Sequence, residues 1–315
     1  MTNDFARHVA EGLSRTPKTL SSMYFYDTQG SQLFQQIMAL PEYYPTRAEY
    51  GVFAAQGATL VAALSPPEAT GPFSLVELGA GDGLKTKLLI KELLATGQDF
   101  SYVPVDISPS AIDGLRDSLK QEFPTLRVEP LVADYGTALT ALATRPGRKA
   151  VLFLGSNIGN FDPVGRAAFL AQLAAPLAPA DRLLVGFDLR KDPRRIRAAY
   201  DDAQGVTAAF NLNLLARLNR ELEADFDLAH WQHYPEYDPT TGAMRSFLVS
   251  SRAQTVRIAA LAQTFDFAAW ETIHTENSFK FSPPQITQLA AGAGLRVASF
   301  FTDADGDFAD VVLGL

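Results

Sequence analysis

The chain has 315 residues, enough for one large domain or two modest ones, and its 47% apolar and 20% charged residues are ordinary for a folded globular protein. A net charge of −8 speaks against sequence-independent nucleic-acid binding, which needs a surplus of Lys and Arg, and directs attention to small-molecule substrates. No cysteine is present, which excludes disulfides, thiolate zinc sites and a cysteine nucleophile and is compatible with a reducing cytoplasm. Met1 to Ala10 carries Asp4, Arg7 and His8 without an apolar core, so no signal peptide is expected. No run of about eighteen apolar residues marks a membrane span. A cytoplasmic monomer without membrane or nucleic-acid partners is the expectation.

In chain order, Leu33, Phe34 and Ile37 follow Gly30-Ser31 at helical spacing, and Leu40-Pro41 should stop that helix. Glu42-Tyr43-Tyr44-Pro45-Thr46-Arg47 then reads as an aromatic stretch stiffened by prolines. From residue 51 strands and helices alternate. Strands are predicted at Phe73 to Leu78, Tyr102 to Ile107, Leu126 to Val132 (weakened by Pro130), Ala150 to Leu154 and Arg182 to Leu189. Helices are predicted at Lys85 to Ala95 and Ser110 to Glu122. Near-continuous apolar strands between helices indicate a parallel sheet covered on both faces. After Asp188 the alternation breaks. Val206, Phe210, Leu214, Leu218 and Leu222 recur every four residues as in a helix, and residues 230–262 alternate like antiparallel strands. A helix from Pro283 to Ala291 and strands from Leu295 to Thr302 and Phe308 to Leu313 close the chain, the last after an Asp305-Gly306 turn. The expected architecture is a doubly wound α/β domain of residues 48–190 plus 280–315, with a substrate-binding lobe from 1–47 plus 191–279.

The strongest local signal is Val76-Glu77-Leu78-Gly79-Ala80-Gly81-Asp82-Gly83, a strand running into a glycine-rich turn and a helix. Glycines let the backbone approach a ligand closely, and open α/β sheets bind ligands at the carboxyl ends of their strands. The spacing is G-x-G-x-G and not the dinucleotide pattern G-x-G-x-x-G. Acidic Glu77 and Asp82 suit a cation and would sit awkwardly beside pyrophosphate. S-adenosylmethionine, a nucleoside with a sulfonium and no phosphate, fits this loop. Asp106 ends the next strand, where an acid can accept from ribose hydroxyls. Asp134-Tyr135 follows the third, where a carboxylate can accept from an adenine amino group. Gly155-Ser156-Asn157-Ile158-Gly159-Asn160-Phe161 follows the fourth strand and offers amides that orient an amine or carboxylate without adding charge. His8, His230, His233 and His274 show no metal-ligand spacing, so no metal is predicted.

These residues resemble the bacterial histidine Nα-methyltransferases, which trimethylate the α-amino group of histidine to hercynine for ergothioneine biosynthesis. The matching stretches are Tyr24 to Asp27 with Gly30-Ser31, Leu40 to Glu49, Glu77 to Thr86, Gly155 to Phe161, Tyr200 to Asp202 with Phe210-Asn211, Asn219 to Leu222, Asp225 to Asp227 and Thr275 to Phe281. The resemblance implies a Rossmann-like class I methyltransferase sheet with a second, substrate-binding lobe. It implies S-adenosylmethionine contacts at Tyr26, Gly79, Lys85, Asp106, Asp134 and Tyr135, to which the loop reading adds Glu77 and Gly81. It places Tyr43, Gly155, Asn160 and Tyr200 around the amino-acid substrate, with Glu276 and Ser278 reading the imidazole ring. Two positions depart from the family. Ser246 stands where a methionine is usual, and Asn277 where a small apolar residue is. Both bear on which ring fits.

The expected chemistry is an in-line displacement in which Tyr26, Tyr43 and Asn160 orient the amine while its proton leaves through a hydrogen-bonded water. Competing readings keep the chemistry with another, aromatic amino acid or small amine as acceptor, or make the chain a dinucleotide-binding module or a non-catalytic binding protein.

Overall fold

The computed structural model describes residues 2–65 and 71–315. Its contacts define two compact units, one of residues 1–44 and 191–278 and the other of residues 45–190 and 279–315.

The second unit is built on an eight-stranded sheet. Its order runs Arg296–Thr302, Phe308–Gly314, Arg182–Asp188, Arg148–Phe153, Phe73–Leu78, Phe100–Asp106, and then two short strands that both pair with Phe100–Asp106. Those two are Arg127–Val128 and Leu131–Val132. The single third strand expected over 126–132 is therefore split, because Pro130 has no N–H to give to a ladder. The sheet is also not wholly parallel. Phe308–Gly314 runs antiparallel to both of its neighbours, since a tight turn joins it to Arg296–Thr302. Asp303 Oδ1 secures that turn by accepting from the amides of Asp307 (2.7 Å) and Phe308 (2.8 Å).

Phe73–Leu78 and Phe308–Gly314 bury every position, and Arg148–Phe153 and Arg182–Asp188 all but their first, because helices cover both faces. The helices start where side chains cap them: Ser108 before Pro109–Glu122, Asp134 before Tyr135–Thr144, Asp162 before Pro163–Ala174 and Ser282 before Pro283–Gly292. The aromatic, proline-rich stretch at 42–47 opens a long helical segment, Tyr44–Leu64, which kinks at Gln56 (φ −126°, ψ 15°). Proline is tolerated in the first helical turn, where its missing N–H would have no partner, so Pro45 starts this helix instead of forbidding it. Val52, Phe53, Leu60 and Leu64 of that helix join Leu75, Ile90, Leu152 and Val312 in one apolar core.

The first unit holds a four-stranded sheet in the order Lys18–Thr19, Thr272–Phe279, Ala243–Ser250, Trp231–Asp238. A separate hairpin pairs Gln254–Ile258 with Gln263–Phe267. Helix Val206–Glu221 buries Phe210, Leu214 and Leu218 in a core with Phe5, Val9, Phe25 and Ile37. Asp27 caps helix Thr28–Ala39 by accepting from the Gly30 amide at 2.6 Å and also takes a hydrogen bond from Asn213 at 2.9 Å, which ties that helix to Val206–Glu221. Among the described residues no helix is long and apolar enough to cross a membrane.

Candidate active site

Strand Phe73–Leu78 delivers the glycine loop to the carboxyl end of the sheet. Gly79 and Gly81 take positive φ angles of 77° and 54°, a conformation that costs residues with a Cβ. A Cβ on Gly81 would meet nothing within 4 Å, whereas one on Gly79 would stand 3.2 Å from the Tyr135 hydroxyl and 3.7 Å from Asn157 Nδ2. Tyr135 and Asn157 therefore flank the loop.

The amides of Gly79, Ala80, Gly81 and Gly83 are spent inside the protein. Gly79 and Ala80 donate to the Val105 carbonyl at 2.8 and 3.0 Å, Gly83 to the Ala80 carbonyl at 3.0 Å, and Gly81 to Asp106 Oδ2 at 3.0 Å. They form no cradle for a pyrophosphate. Asp106 Oδ1 accepts from the Ser108 amide at 2.9 Å, so both carboxylate oxygens are fixed and each keeps a lone pair for a further donor. Vicinal ribose hydroxyls match that arrangement. Asp134 caps its helix through Oδ1, accepting from the Thr137 amide at 2.7 Å, and those Thr137 bonds hold its carboxyl below the usual range. Tyr135 has a raised pKa, through burial and the charge of Asp106, and its hydroxyl stays a neutral donor. Ile107 and Val132 expose 42% and 48% of their surface at these strand ends, Val132 in register with Asp106. They offer apolar surface for a planar base. A nucleoside without phosphate fits these groups.

Glu77, expected to face a cationic ligand, is instead buried, with Oε1 accepting from Thr86 Oγ1 at 2.7 Å and Oε2 from the Tyr102 hydroxyl. Burial pushes its pKa up to about 7 against those two hydrogen bonds. Its side chain braces the loop from within. Asp82 is exposed and accepts from the Leu84 amide at 3.0 Å. Lys85 precedes helix Thr86–Ala95 and forms an ion pair with the buried Glu49. Burial opposes the Lys85 charge, but Glu49, with Asp310 and Glu77, more than offsets it, and the pKa is raised. Glu49 also accepts from the Gly155 amide, at 2.8 Å to Oε1 and 3.1 Å to Oε2, and so links Lys85 to the loop after strand Arg148–Phe153.

In that loop Ser156 takes a φ of 56°, and its Oγ accepts from the Asp188 amide at 2.8 Å. Gly159 lies against backbone, since a Cβ there would fall 2.7 Å from the Phe279 carbonyl oxygen. Asn160 ends the short helical turn Asn157–Asn160 and is half-buried.

The residues expected around the amino-acid substrate include several in the other unit, where Tyr26, Tyr43, Tyr200 and Ser278 belong to a connected series. The Tyr26 ring meets Phe34 edge-on at 5.5 Å, Phe34 meets Tyr43 at 6.2 Å, and Tyr43 meets Tyr200 at 6.3 Å. The Tyr200 hydroxyl donates to Ser278 Oγ at 2.7 Å. Behind Tyr200 stands His233, whose Nε2 reaches the Tyr200 carbonyl at 2.9 Å while Asn211 Nδ2 lies 2.8 Å from Nδ1. The donor at Asn211 and the acceptor at Tyr200 require the neutral ring with its proton on Nε2. Burial lowers the His233 pKa accordingly, against the hydrogen bond to Tyr200. Glu276, half-buried, shares strand Thr272–Phe279 with Ser278, and Asn277 Oδ1 lies 3.1 Å from His274 Nε2. Ser246 is buried, its carbonyl accepting from Thr275 Oγ1 at 2.9 Å.

The structure thus gathers Gly79, Gly81, Asp106, Asp134 and Tyr135 at the carboxyl ends of adjacent strands, joins Lys85 and Gly155 through Glu49, and aligns Tyr26, Tyr43, Tyr200 and Ser278. Sequence reasoning gave no site role to Ile107, Val132, Asn211 or His233 and did not foresee the hub role of Glu49. An apolar residue directly after an acid-ended strand was the available signal for Ile107. The other contacts join residues far apart in the chain and left no local signal.

A family model described as histidine-specific, S-adenosylmethionine-dependent methyltransferase matches residues 5–315. The histidine N-alpha-methyltransferase of Mycobacterium tuberculosis is 42% identical over 302 residues, covering 96% of this chain and 92% of that protein. The histidine N-alpha-methyltransferase of Mycolicibacterium smegmatis gives the same figures, 42% over 302 residues with 96% and 92% covered. Ergothioneine biosynthesis protein 1 of Schizosaccharomyces pombe is 29% identical over 301 residues, covering 93% of this chain and 38% of that longer protein. With a match along nearly its whole length, beside a nucleoside-shaped and phosphate-free loop, the chain belongs to the histidine-specific, S-adenosylmethionine-dependent methyltransferases.

Proposed function

We propose that the protein methylates the α-amino group of free L-histidine with S-adenosylmethionine, carrying it to Nα,Nα,Nα-trimethylhistidine. The observation that supports this acceptor is the 42% identity over 302 residues to bacterial histidine N-alpha-methyltransferases. Asp106 holds the ribose hydroxyls, Asp134 the adenine amino group, and Gly79 and Gly81 let the backbone approach the nucleoside. Tyr26, Lys85 and Tyr135 complete that half. When bound, S-adenosylmethionine supplies an electrophilic methyl group on a cationic sulfur.

The protein's task is then to position the attacking nitrogen. Alignment of nitrogen, carbon and sulfur can supply roughly 7–11 kcal/mol in the best cases. Tyr43, Asn160 and Tyr200 are assigned to the substrate amine and carboxylate, and Gly155 to the same substrate. Because a peptide α-amino group titrates near pH 8, roughly nine-tenths of it carries a proton at pH 7. The nucleophile is the neutral form, and its proton leaves through a water hydrogen-bonded to the tyrosine hydroxyls. Glu276 and Ser278 read the imidazole. A site built on such polar groups rejects analogues that leave them unpaired.

The test is mass spectrometry of the free amino acids after incubation with the protein and S-adenosylmethionine. Histidine should gain one, two and then three methyl groups. Faster methylation of tryptophan or tyrosine would refute the histidine assignment, and accumulation of the singly methylated product would refute trimethylation.

A further inference from the structure

Three acids and one cation lie together beside the glycine loop: Glu49 on helix Tyr44–Leu64, Glu77 on strand Phe73–Leu78, Asp310 on strand Phe308–Gly314, and Lys85. Glu49 and Asp310 are fully buried. Three of the four groups have their hydrogen-bond partners. Thr86 and Tyr102 serve Glu77, and Lys85 and the Gly155 amide serve Glu49. Asp310 differs, because neither of its oxygens receives an N–H or O–H from the described residues.

What Asp310 does touch is Glu49, whose carboxyl lies at hydrogen-bonding range. The seat for this contact is Gly186, opposite Asp310 on the neighbouring strand, where a Cβ would come within 2.4 Å of Glu49 Oε1. Two carboxyl groups in buried contact cannot both ionise without strong repulsion, whereas one proton shared between them removes a charge and creates a donor. A buried carboxylate also requires all its partners to be in place.

We infer that Asp310 is held protonated and donates to Glu49, making it a positioning residue for Lys85 and Gly155. Glu49 then accepts from three directions, from Asp310, Lys85 and the Gly155 amide, within the four lone-pair positions of a carboxylate. The hub ties the start of the helix after the glycine loop to the loop that carries Asn160. Its functional meaning rests on the proposed roles of Lys85 toward the cofactor and Gly155 toward the substrate. Burial, followed by the charge of Glu49, raises the Asp310 pKa, and Lys85 opposes the rise. As pH climbs through that raised value, a second negative charge appears beside Glu49, with Glu77 facing the same Lys85. The hub should therefore loosen on the alkaline side.

The experiment compares wild type, Asp310→Asn and Asp310→Ala as full-length proteins. Asn keeps a neutral donor of the same shape, and Ala removes it. S-adenosylhomocysteine binding is followed by calorimetry from neutral to alkaline pH. The infrared wild-type-minus-Asn difference spectrum is recorded at pH 7 without ligand. The inference expects a protonated-carboxyl band in that spectrum. It also expects affinity within about threefold of wild type for Asn without the alkaline decline, and a loss of about tenfold or more for Ala, where tenfold corresponds to one lost hydrogen bond to a charged group. Absence of the band overturns it, as does an Asn variant that binds as poorly as Ala. If the Ala variant does not fold, the band and the alkaline profile of the Asn variant decide. If wild type binds no S-adenosylhomocysteine, the cofactor reading fails, and the infrared band still decides the shared proton.

Discussion

Gly159→Ala probes whether the loop carrying Asn160 is held by direct contact with the backbone at Phe279. The added Cβ would sit 2.7 Å from the Phe279 carbonyl oxygen and 3.1 Å from its nitrogen. Carbon atoms in good contact stand about 3.5–4.0 Å from their neighbours, so one of the two segments must move by about 1 Å. Because the obstacle is backbone, no rotamer change relieves it, and overpacking of this kind costs about 1–3 kcal/mol. Asn160 is the next residue, and a misplacement of about 1 Å can cost on the order of 100-fold in rate.

The control is Gly114→Ala, in helix Pro109–Glu122, where a Cβ meets nothing within 4 Å. That change should stabilise by about 0.5–1 kcal/mol, the helical cost of glycine. Thermal unfolding and kcat/KM for histidine methylation are measured on all three proteins. The expected order of Tm is Gly114→Ala at or above wild type and Gly159→Ala below it, with kcat/KM lowered at least tenfold only in Gly159→Ala. A Gly159→Ala protein with wild-type Tm and wild-type kcat/KM would refute the close approach and the coupling drawn from it.

Asp106→Ala removes both the acceptor for the Gly81 amide and the proposed ribose contact. S-adenosylhomocysteine affinity should fall by about 10- to 100-fold, given about 1.5–3 kcal/mol for hydrogen bonds to a charged group; calorimetry showing unchanged affinity would remove Asp106 from the cofactor site. Glu276→Ala should narrow the ratio of kcat/KM for histidine over other aromatic amino acids, because the partner proposed for the imidazole is gone; an unchanged ratio in competition assays counts against that role. Burial lowers the pKa of His233 and of His274, so both rings bind protons more weakly folded than unfolded. The stability this confers is present above the ordinary histidine value and is lost as pH falls through the lowered ones. The wild-type Tm should therefore drop as pH is lowered from 7 to about 5, and His233→Gln should show a smaller drop. An identical acid profile in the two proteins would show that the relay behind Tyr200 does not titrate.

Several elements were legible because their signals are local. The glycine spacing from Gly79 to Gly83, the acid closing strand Phe100–Asp106 and the four-residue recurrence in Val206–Glu221 are properties of short windows, and the structure has the loop, the strand and the helix there. Helix Tyr44–Leu64 was not legible as one. Its start is crowded with aromatics and Pro45, and the kink at Gln56 interrupts the helical period of its apolar residues. The split at Pro130 and the antiparallel end of the sheet were also out of reach of the pattern, because strand pairing joins segments that carry no record of each other.

By itself the sequence determined the kind of loop, the acids at the strand ends and the aromatic composition of the stretches proposed for the acceptor, since these need only residue type and spacing. Tertiary structure alone decided where the charges go. It turned Glu77 inward to Thr86 and Tyr102, drew Lys85 and Gly155 onto Glu49, and placed Asp310 against that same carboxyl. The physical reason is that a buried charge is governed by the partners that reach it through space, and folding brings those partners from strands and helices distant in the chain.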